Sequence, residues 1–183
     1  MEYFDIPLKD DLWSDFTDLL KKSEIFTDYK SYFKTLVEWV KKYKNYIYHI
    51  DPALLANNRL VTILDIDIEK YLSKSPEISL AMETKRIFSE RPETLNELLM
   101  GISNTLWDLV RFDTGEDCPW CMDASVNYVL AEVSESKQKK IILQCNTCTY
   151  EANLDKSEYV DGLAKIYPAN EEDLREYILL MLS

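Results

Sequence analysis

With 183 residues, of which 46% are hydrophobic and 12% aromatic, the chain can bury about 70% of its unfolded surface, which excludes disorder despite 30% charged residues. The net charge is −12, from 33 acidic and 21 basic residues, and no apolar run approaches the ~20 residues of a membrane span. Gly101, Gly115 and Gly162 cannot build a glycine-rich phosphate loop, and the single histidine, His49, excludes any site that needs two imidazoles.

The start, Met1-Glu2-Tyr3-Phe4-Asp5, has neither a cationic region nor an apolar signal run, so a soluble, cytoplasmic protein is expected. Residues 10–22 predict a short helix, with Asp10 or Asp11 near its cap and Leu12, Trp13, Phe16, Leu19 and Leu20 on one face. A second helix carries Tyr29, Tyr32, Phe33, Leu36, Val37, Val40 and Tyr43 as one apolar stripe, with Lys30, Lys34, Lys41, Lys42 and Lys44 mostly outside it. Lysines interleaved with aromatics also suit a nucleic-acid surface, but in an acidic chain a solvated face over a buried stripe is the better reading. Residues 46–50 form a strand or the tail of that helix, and Leu54, Leu55, Leu60, Val61, Ile63 and Leu64 predict a buried helix broken near Asn57-Asn58.

In Asp65-Ile66-Asp67-Ile68-Glu69, a strand would put three carboxylates on one face, able to hold a hard cation, whereas a helix would make them diverge. The following Lys70-Tyr71-Leu72 favours a helix with Asp65 as its cap. Ser75-Pro76-Glu77 opens a helix to about Glu90, and Pro92-Glu93 opens another to about Phe112, striped by Leu95, Leu98, Leu99, Ile102, Leu106, Leu109 and Val110. Asp113-Thr114-Gly115-Glu116-Asp117 ends the helical part.

All four cysteines follow, as Cys118-Pro119-Trp120-Cys121 and Cys145-Asn146-Thr147-Cys148. In each pair the two-residue gap lets both thiolates point at one centre, and two such turns supply the four sulfurs of a tetrahedral metal site. Between them, residues 126–133 and 140–144 are β-branched and aromatic runs on either side of a polar turn over 134–138, which predicts a hairpin that returns the second pair to the first. Two disulfides or a thioredoxin-like redox pair are the alternatives. The stretch 116–152 resembles a zinc ribbon, which implies Cys118, Cys121, Cys145 and Cys148 as zinc ligands. It departs from that pattern where Met122 and Thr149 stand in place of the usual glycine after the second cysteine of each pair. Four thiolates fill the coordination sphere, so the zinc would be structural.

The expected class is α+β: a mostly helical body over 1–115, a zinc-ribbon β-hairpin module over 116–152 packed on it as one unit, and a C-terminal segment over 153–183. A strand is expected over 149–152, directly after the second cysteine pair. A final helix, capped by Asn170 and docked by Leu174, Tyr177, Ile178, Leu180, Met181 and Leu182, completes the body. Acidity is uneven along the chain: residues 1–24 carry −4, 25–107 zero, 108–135 −6, 136–148 +3 and 149–183 −5. Brought together, the acidic segments would form a face that repels phosphate and attracts a basic partner, although acidity also serves solubility alone. Asp113, Glu116, Asp117, Asp123, Glu151, Asp155, Glu158 and Asp161 are the candidate partner-binding residues. A small acidic chain rich in Tyr and Trp and poor in catalytic groups resembles the immunity proteins of bacterial toxin systems, including contact-dependent growth inhibition. That resemblance implies a non-enzymatic protein that neutralises a cationic, nuclease-type toxin domain. The alternative is a nucleic-acid-associated ribbon protein that uses Lys137, Lys139 and Lys140 at the hairpin tip.

Overall fold

In a computed structural model that describes residues 6–22, 28–71, 88–160 and 162–175, the chain divides into two units, one helical and one built on a sheet. The helical unit is Met1–Glu69 with Ser73–Leu109, and the sheet unit is Lys70–Leu72 with Val110–Ser183. The helix expected over 76–90 and the end of the final helix, 176–183, lie outside the described residues apart from 88–90, which are not helical.

Helix α1, Asp10–Lys22, forms where the sequence predicts, with acids in its first turn and lysines in its last, the charge order that the helix dipole favours. It buries Leu12 and Phe16, and the Phe16 ring meets Trp39 at 5.2 Å and Phe88 at 4.8 Å, both edge-on. Helix α2, Tyr29–Ile50, starts at Asp28, whose carboxylate accepts from the N–H groups of Lys30 and Ser31, and continues through 46–50, settling those residues as helix tail. Its buried stripe matches the expected one except that Tyr43 is only half-buried and that Trp39, 1% exposed, and the fully buried Ile47 join it. The lysines stay outside, and several are ion-paired: Lys42 with Asp15 at 2.7 Å, Lys30 and Lys34 with Glu69 at 2.6 and 2.8 Å.

The expected break at Asn57-Asn58 separates α3, Leu54–Asn57, from α4, Leu60–Ile63. Arg59 sits between them at φ 53, and the buried Asn58 amide donates to Leu54 O and Asn96 Oδ1. No helix starts at Asp65. A 3-10 turn spans Ile68–Lys70 instead, Asp67 accepts the Glu69 N–H, and Glu69 turns to the two α2 lysines, so the three carboxylates do not gather into a cation-binding group. Helix α5, Leu95–Val110, begins two residues later than Pro92-Glu93 suggests because Thr94 and Glu97 form a capping box. Thr94 Oγ1 accepts from Glu97 N at 3.1 Å, and Glu97 Oε2 accepts from Thr94 N at 3.2 Å. It ends at Val110, before Phe112, which is drawn into a strand.

The sheet unit has five antiparallel strands, β1 Phe112–Asp117, β2 Ser125–Val133, β3 Lys139–Cys145, β4 Glu151–Ala152 and β5 Leu163–Pro168. The hairpin β2–β3 was expected, and so was β4. Strands β1 and β5 correct the sequence pattern, which gave Asp113–Asp117 as a helix terminator and 163–168 as an approach to the last helix. Both lie along one edge of β2, end to end: β1 pairs from Phe112↔Tyr128 to Asp117↔Ser125, and β5 from Val129↔Pro168 to Val133↔Leu163. β3 takes the other edge, from Val126↔Cys145 to Glu132↔Lys139. One face of the sheet carries two apolar clusters. Cys118, Val126, Leu143, Cys145, Tyr150 and Ala152 form one at the cysteine end; Ile141, Ala169 and Leu174, with Phe112, Tyr128, Leu130 and Leu154, form the other. On the opposite face Asn127, Val129, Ala131, Ile142 and Gln144 are also buried. Residues 171–175 are helical, and Asn170 caps them as expected, exchanging bonds with Asp173 at 2.9 and 3.0 Å. Among the described residues no helix is long and apolar enough to cross a membrane.

Candidate metal centre

Strand register gathers the cysteines. Pairing of Val126 with Cys145 sets the second pair beside the start of β2, and pairing of Asp117 with Ser125 brings Cys118 to the same end. Each C-x-x-C loop then closes on itself, through Cys118 N–H to Ala124 O at 2.8 Å in the first and Cys145 N–H to Tyr150 O at 3.0 Å in the second. The result places four sulfur atoms within 4.8 Å of one another, with Cys118 to Cys148 at 3.6 Å and Cys121 to Cys145 at 3.7 Å. These separations far exceed a disulfide's ~2.05 Å. The four thiols therefore form a cluster able to hold a metal ion.

The first cysteine of each pair, Cys118 and Cys145, is buried, and the second, Cys121 and Cys148, is half-buried. Met122 occupies the position where glycine is usual, and it takes the left-handed conformation itself, at φ 54, with its N–H on Cys118 O at 3.0 Å. Its side chain is 78% exposed and meets no crowding from the rest of the chain, but the left-handed backbone still carries the local Cβ–carbonyl clash that glycine would avoid. Thr149 does not adopt that conformation, and the second loop closes without it. The turns also aim backbone donors at sulfur: Thr147 N–H reaches Cys145 Sγ at 3.3 Å.

Without a cation, four thiolates this close cannot coexist. Burial opposes ionisation of Cys118, yet the N–H groups of Cys121 and Trp120, with the Cys148 and Cys145 thiols, bring it down to about 7. Cys148 goes the other way: the Tyr150 N–H favours its thiolate, but burial and the sulfurs of Cys118, Cys145 and Cys121 together push it up to about 12. Cys121 is raised as well; the Asp123 N–H opposes that, while burial and the Cys145 and Cys118 sulfurs impose it. One thiolate is thus ready near neutrality, and a divalent cation supplies the charge that lets the others follow.

The candidate partner-binding acids fall as follows. Asp113, Glu116 and Asp117 lie exposed on β1, Asp123 in the first cysteine loop, Glu151 on β4, and Asp155 and Glu158 in the loop after it. All seven belong to the sheet unit; Asp161 lies outside the described residues. Four have local partners: Glu116 pairs with Lys156 at 2.8 Å, Asp113 accepts from Gly115 N, Asp155 accepts from Ser157 N and Oγ, and Glu151 accepts from Gln144 Nε2. Asp117, Asp123 and Glu158 make no side-chain bond among the described residues. The hairpin lysines are all engaged, Lys139 over the Tyr167 ring at 4.2 Å, Lys140 over Tyr159 at 4.7 Å and Lys137 near Glu132 at 4.0 Å.

Sequence patterning missed the exposed aromatic of the first loop. Trp120 is 66% exposed and packs edge-on against Tyr150 at 5.5 Å; its signal was its place between the two cysteines of a C-x-x-C loop, whose thiols and not its middle residues turn inward. His49 is exposed at the end of α2. A cleft of about 370 Å³ between α1 and α2 is lined by Asp15, Asp18, Leu19, Lys22, Glu38, Trp39 and Lys42, a set without a thiol, imidazole or hydroxyl nucleophile. The four cysteines are the one group of metal-binding side chains found among the described residues. The chain matches no protein-family model, no curated protein and no solved structure.

Proposed function

We propose that the protein is a non-enzymatic, acidic binding protein whose sheet unit is held by a structural zinc of zinc-ribbon type and which captures a cationic protein partner. The observation that carries this reading is the set of four sulfurs. Around a tetrahedral zinc with bonds of ~2.3 Å, sulfurs stand about 3.8 Å apart, close to the 3.6 and 3.7 Å of the two pairs. All-sulfur tetrahedral donors select zinc or iron, and all four positions are filled by protein, leaving none for a reacting water. Such a metal stabilises and does not catalyse.

Electrostatics supports the partner. The sheet unit has 14 acids and 8 bases, a net −6, and a zinc bound to four thiolates adds a formal −2. Such a surface speeds encounter with a cation-rich protein and repels nucleic acid. The nucleic-acid alternative is further weakened because its three hairpin lysines already stack on tyrosines or sit near a carboxylate. The immunity-protein form of the proposal, with a nuclease-type toxin domain as the cationic partner, rests on a small acidic chain rich in tyrosine and tryptophan and poor in catalytic groups.

Two measurements test the reading. Protein purified without added metal should contain one equivalent of zinc, and cobalt exchange should give the charge-transfer band and d–d envelope of a tetrahedral thiolate site. Less than half an equivalent, with all four thiols reactive in the folded protein, removes the metal claim. Co-expression with the product of the neighbouring reading frame should relieve that product's toxicity; tight binding of mixed DNA or RNA at moderate salt, lost on substitution of the three lysines, would instead establish the nucleic-acid reading.

A further inference from the structure

The first cysteine loop carries an apolar pair that the fold leaves uncovered. Trp120 and Met122 are 66% and 78% exposed, one inside the first C-x-x-C loop and one directly after it. Large apolar side chains in so exposed a place gain nothing from folding. The loop that carries them is nevertheless held in place: Trp120 is braced edge-on by the buried Tyr150, the Met122 backbone N–H bonds Cys118 O, and Cys118 N–H bonds Ala124 O.

The same closure sets carboxylates on both sides of the pair. Asp117 stands opposite Ser125 in the sheet and Asp123 just inside the loop, so the two acids flank the stretch that holds Trp120 and Met122. Residues 112–124 contain four acids and no lysine, arginine or histidine. The base that reaches this end, Lys156, is engaged by Glu116 at 2.8 Å. Asp117 and Asp123 remain without side-chain partners among the described residues.

We infer that this loop tip is the docking surface for the cationic partner, and that it takes an arginine-bearing segment of that protein. The guanidinium stacks on the open face of Trp120 and pairs with Asp117 or Asp123, while its aliphatic stem lies on Met122. Each half of that recognition is ordinary: arginine is drawn to an indole face and binds carboxylates in a planar fork. An aromatic anchor surrounded by complementary charge is also the usual form of an energetic centre in an interface. The inference rests on the proposed capture of a cationic protein and names where that capture occurs.

The test titrates zinc-loaded, isotope-labelled protein with an eight-residue peptide of alternating arginine and leucine, about eight residues being enough to span one loop. The Trp120 indole and the amides of residues 117–124 should shift first. Trp120→Ser and, separately, Met122→Ser should weaken binding by about tenfold or more, the truncation cost of an interface anchor. Asp117→Asn with Asp123→Asn should weaken it and flatten its salt dependence, whereas Glu172→Gln should change neither. Met122→Ser keeps the test decisive should Trp120→Ser loosen the metal loop. Peptide binding that survives both loop variants, or shifts that map to the hairpin tip, overturns the docking site while leaving cationic capture standing. No binding at low salt overturns both, and tighter binding of a single-stranded RNA at the loop shows the partner class to be wrong.

Discussion

Replacing Cys148 by serine removes one sulfur from the cluster and leaves the backbone of its loop free to close. Structural zinc sites contribute roughly 10–16 kcal/mol, so one of four equal bonds is worth about 3–4 kcal/mol, or two to three orders of magnitude in affinity. The structure also says where the loss is felt. The cluster around the sulfurs contains Val126, Leu143, Tyr150 and Ala152, whereas the neighbouring cluster of Ile141, Ala169 and Leu174 contains no cysteine. Zinc affinity, measured by competition with a chromophoric chelator, should fall by the stated factor. Hydrogen exchange should accelerate at the amides of Cys118, Met122, Cys145 and Thr147, which close the loops, while those of the central hairpin near Leu130 and Ile141 stay protected. Binding should also release protons. Cys121 and Cys148 are held protonated at neutral pH, so at least two protons leave per zinc and affinity rises about a hundredfold or more per pH unit near pH 7. Unchanged zinc affinity in Cys148→Ser, or loop amides indifferent to chelation, would refute the idea that metal holds this end of the sheet.

Other outcomes follow from single residues. Met122→Gly relieves a left-handed residue worth about 1–2 kcal/mol against the extra ~0.5–1 kcal/mol of glycine's chain entropy, so urea denaturation should show a gain of about 0.5–1 kcal/mol. Phe16→Ala empties a fully buried ring site between Trp39 and Phe88 and should cost about 3–5 kcal/mol by the same assay. Glu69 is held below its ordinary 4.5 by hydrogen bonds from Lys30 and then Lys34, so its stabilisation is present above that value and lost as pH falls through the folded one. Thermal melts of Glu69→Gln should therefore lie slightly below the parent at pH 7 and coincide with it under strongly acid conditions; a gap that persists in acid would contradict the pairing.

Helices α1, α2 and α5, the hairpin and the four clustered thiols are legible in the residues alone, because each is written in local periodicity or fixed spacing. Period-3.6 stripes at Tyr29–Val40 and period-2 runs on either side of residues 134–138 need no knowledge of distant residues. Capping is legible too where a side chain bonds its own helix, as at Asn170, whereas at Thr94 and Glu97 the nearby Pro92 offers a competing start signal. Tertiary structure alone decided β1 and β5. Phe112–Asp117 has one large apolar residue in six, and becomes a strand because β2 offers it an unpaired edge; Leu163–Pro168 takes the rest of that edge. Glu69 likewise left the Asp65–Glu69 pattern for lysines more than 30 residues away. The uncovered Trp120 was undecided for the same reason: exposure depends on what the rest of the chain brings near, and the ring that packs on Trp120 is that of Tyr150, 30 residues away. Pairing partners and solvent access are long-range properties, so they are fixed only when the strands have met.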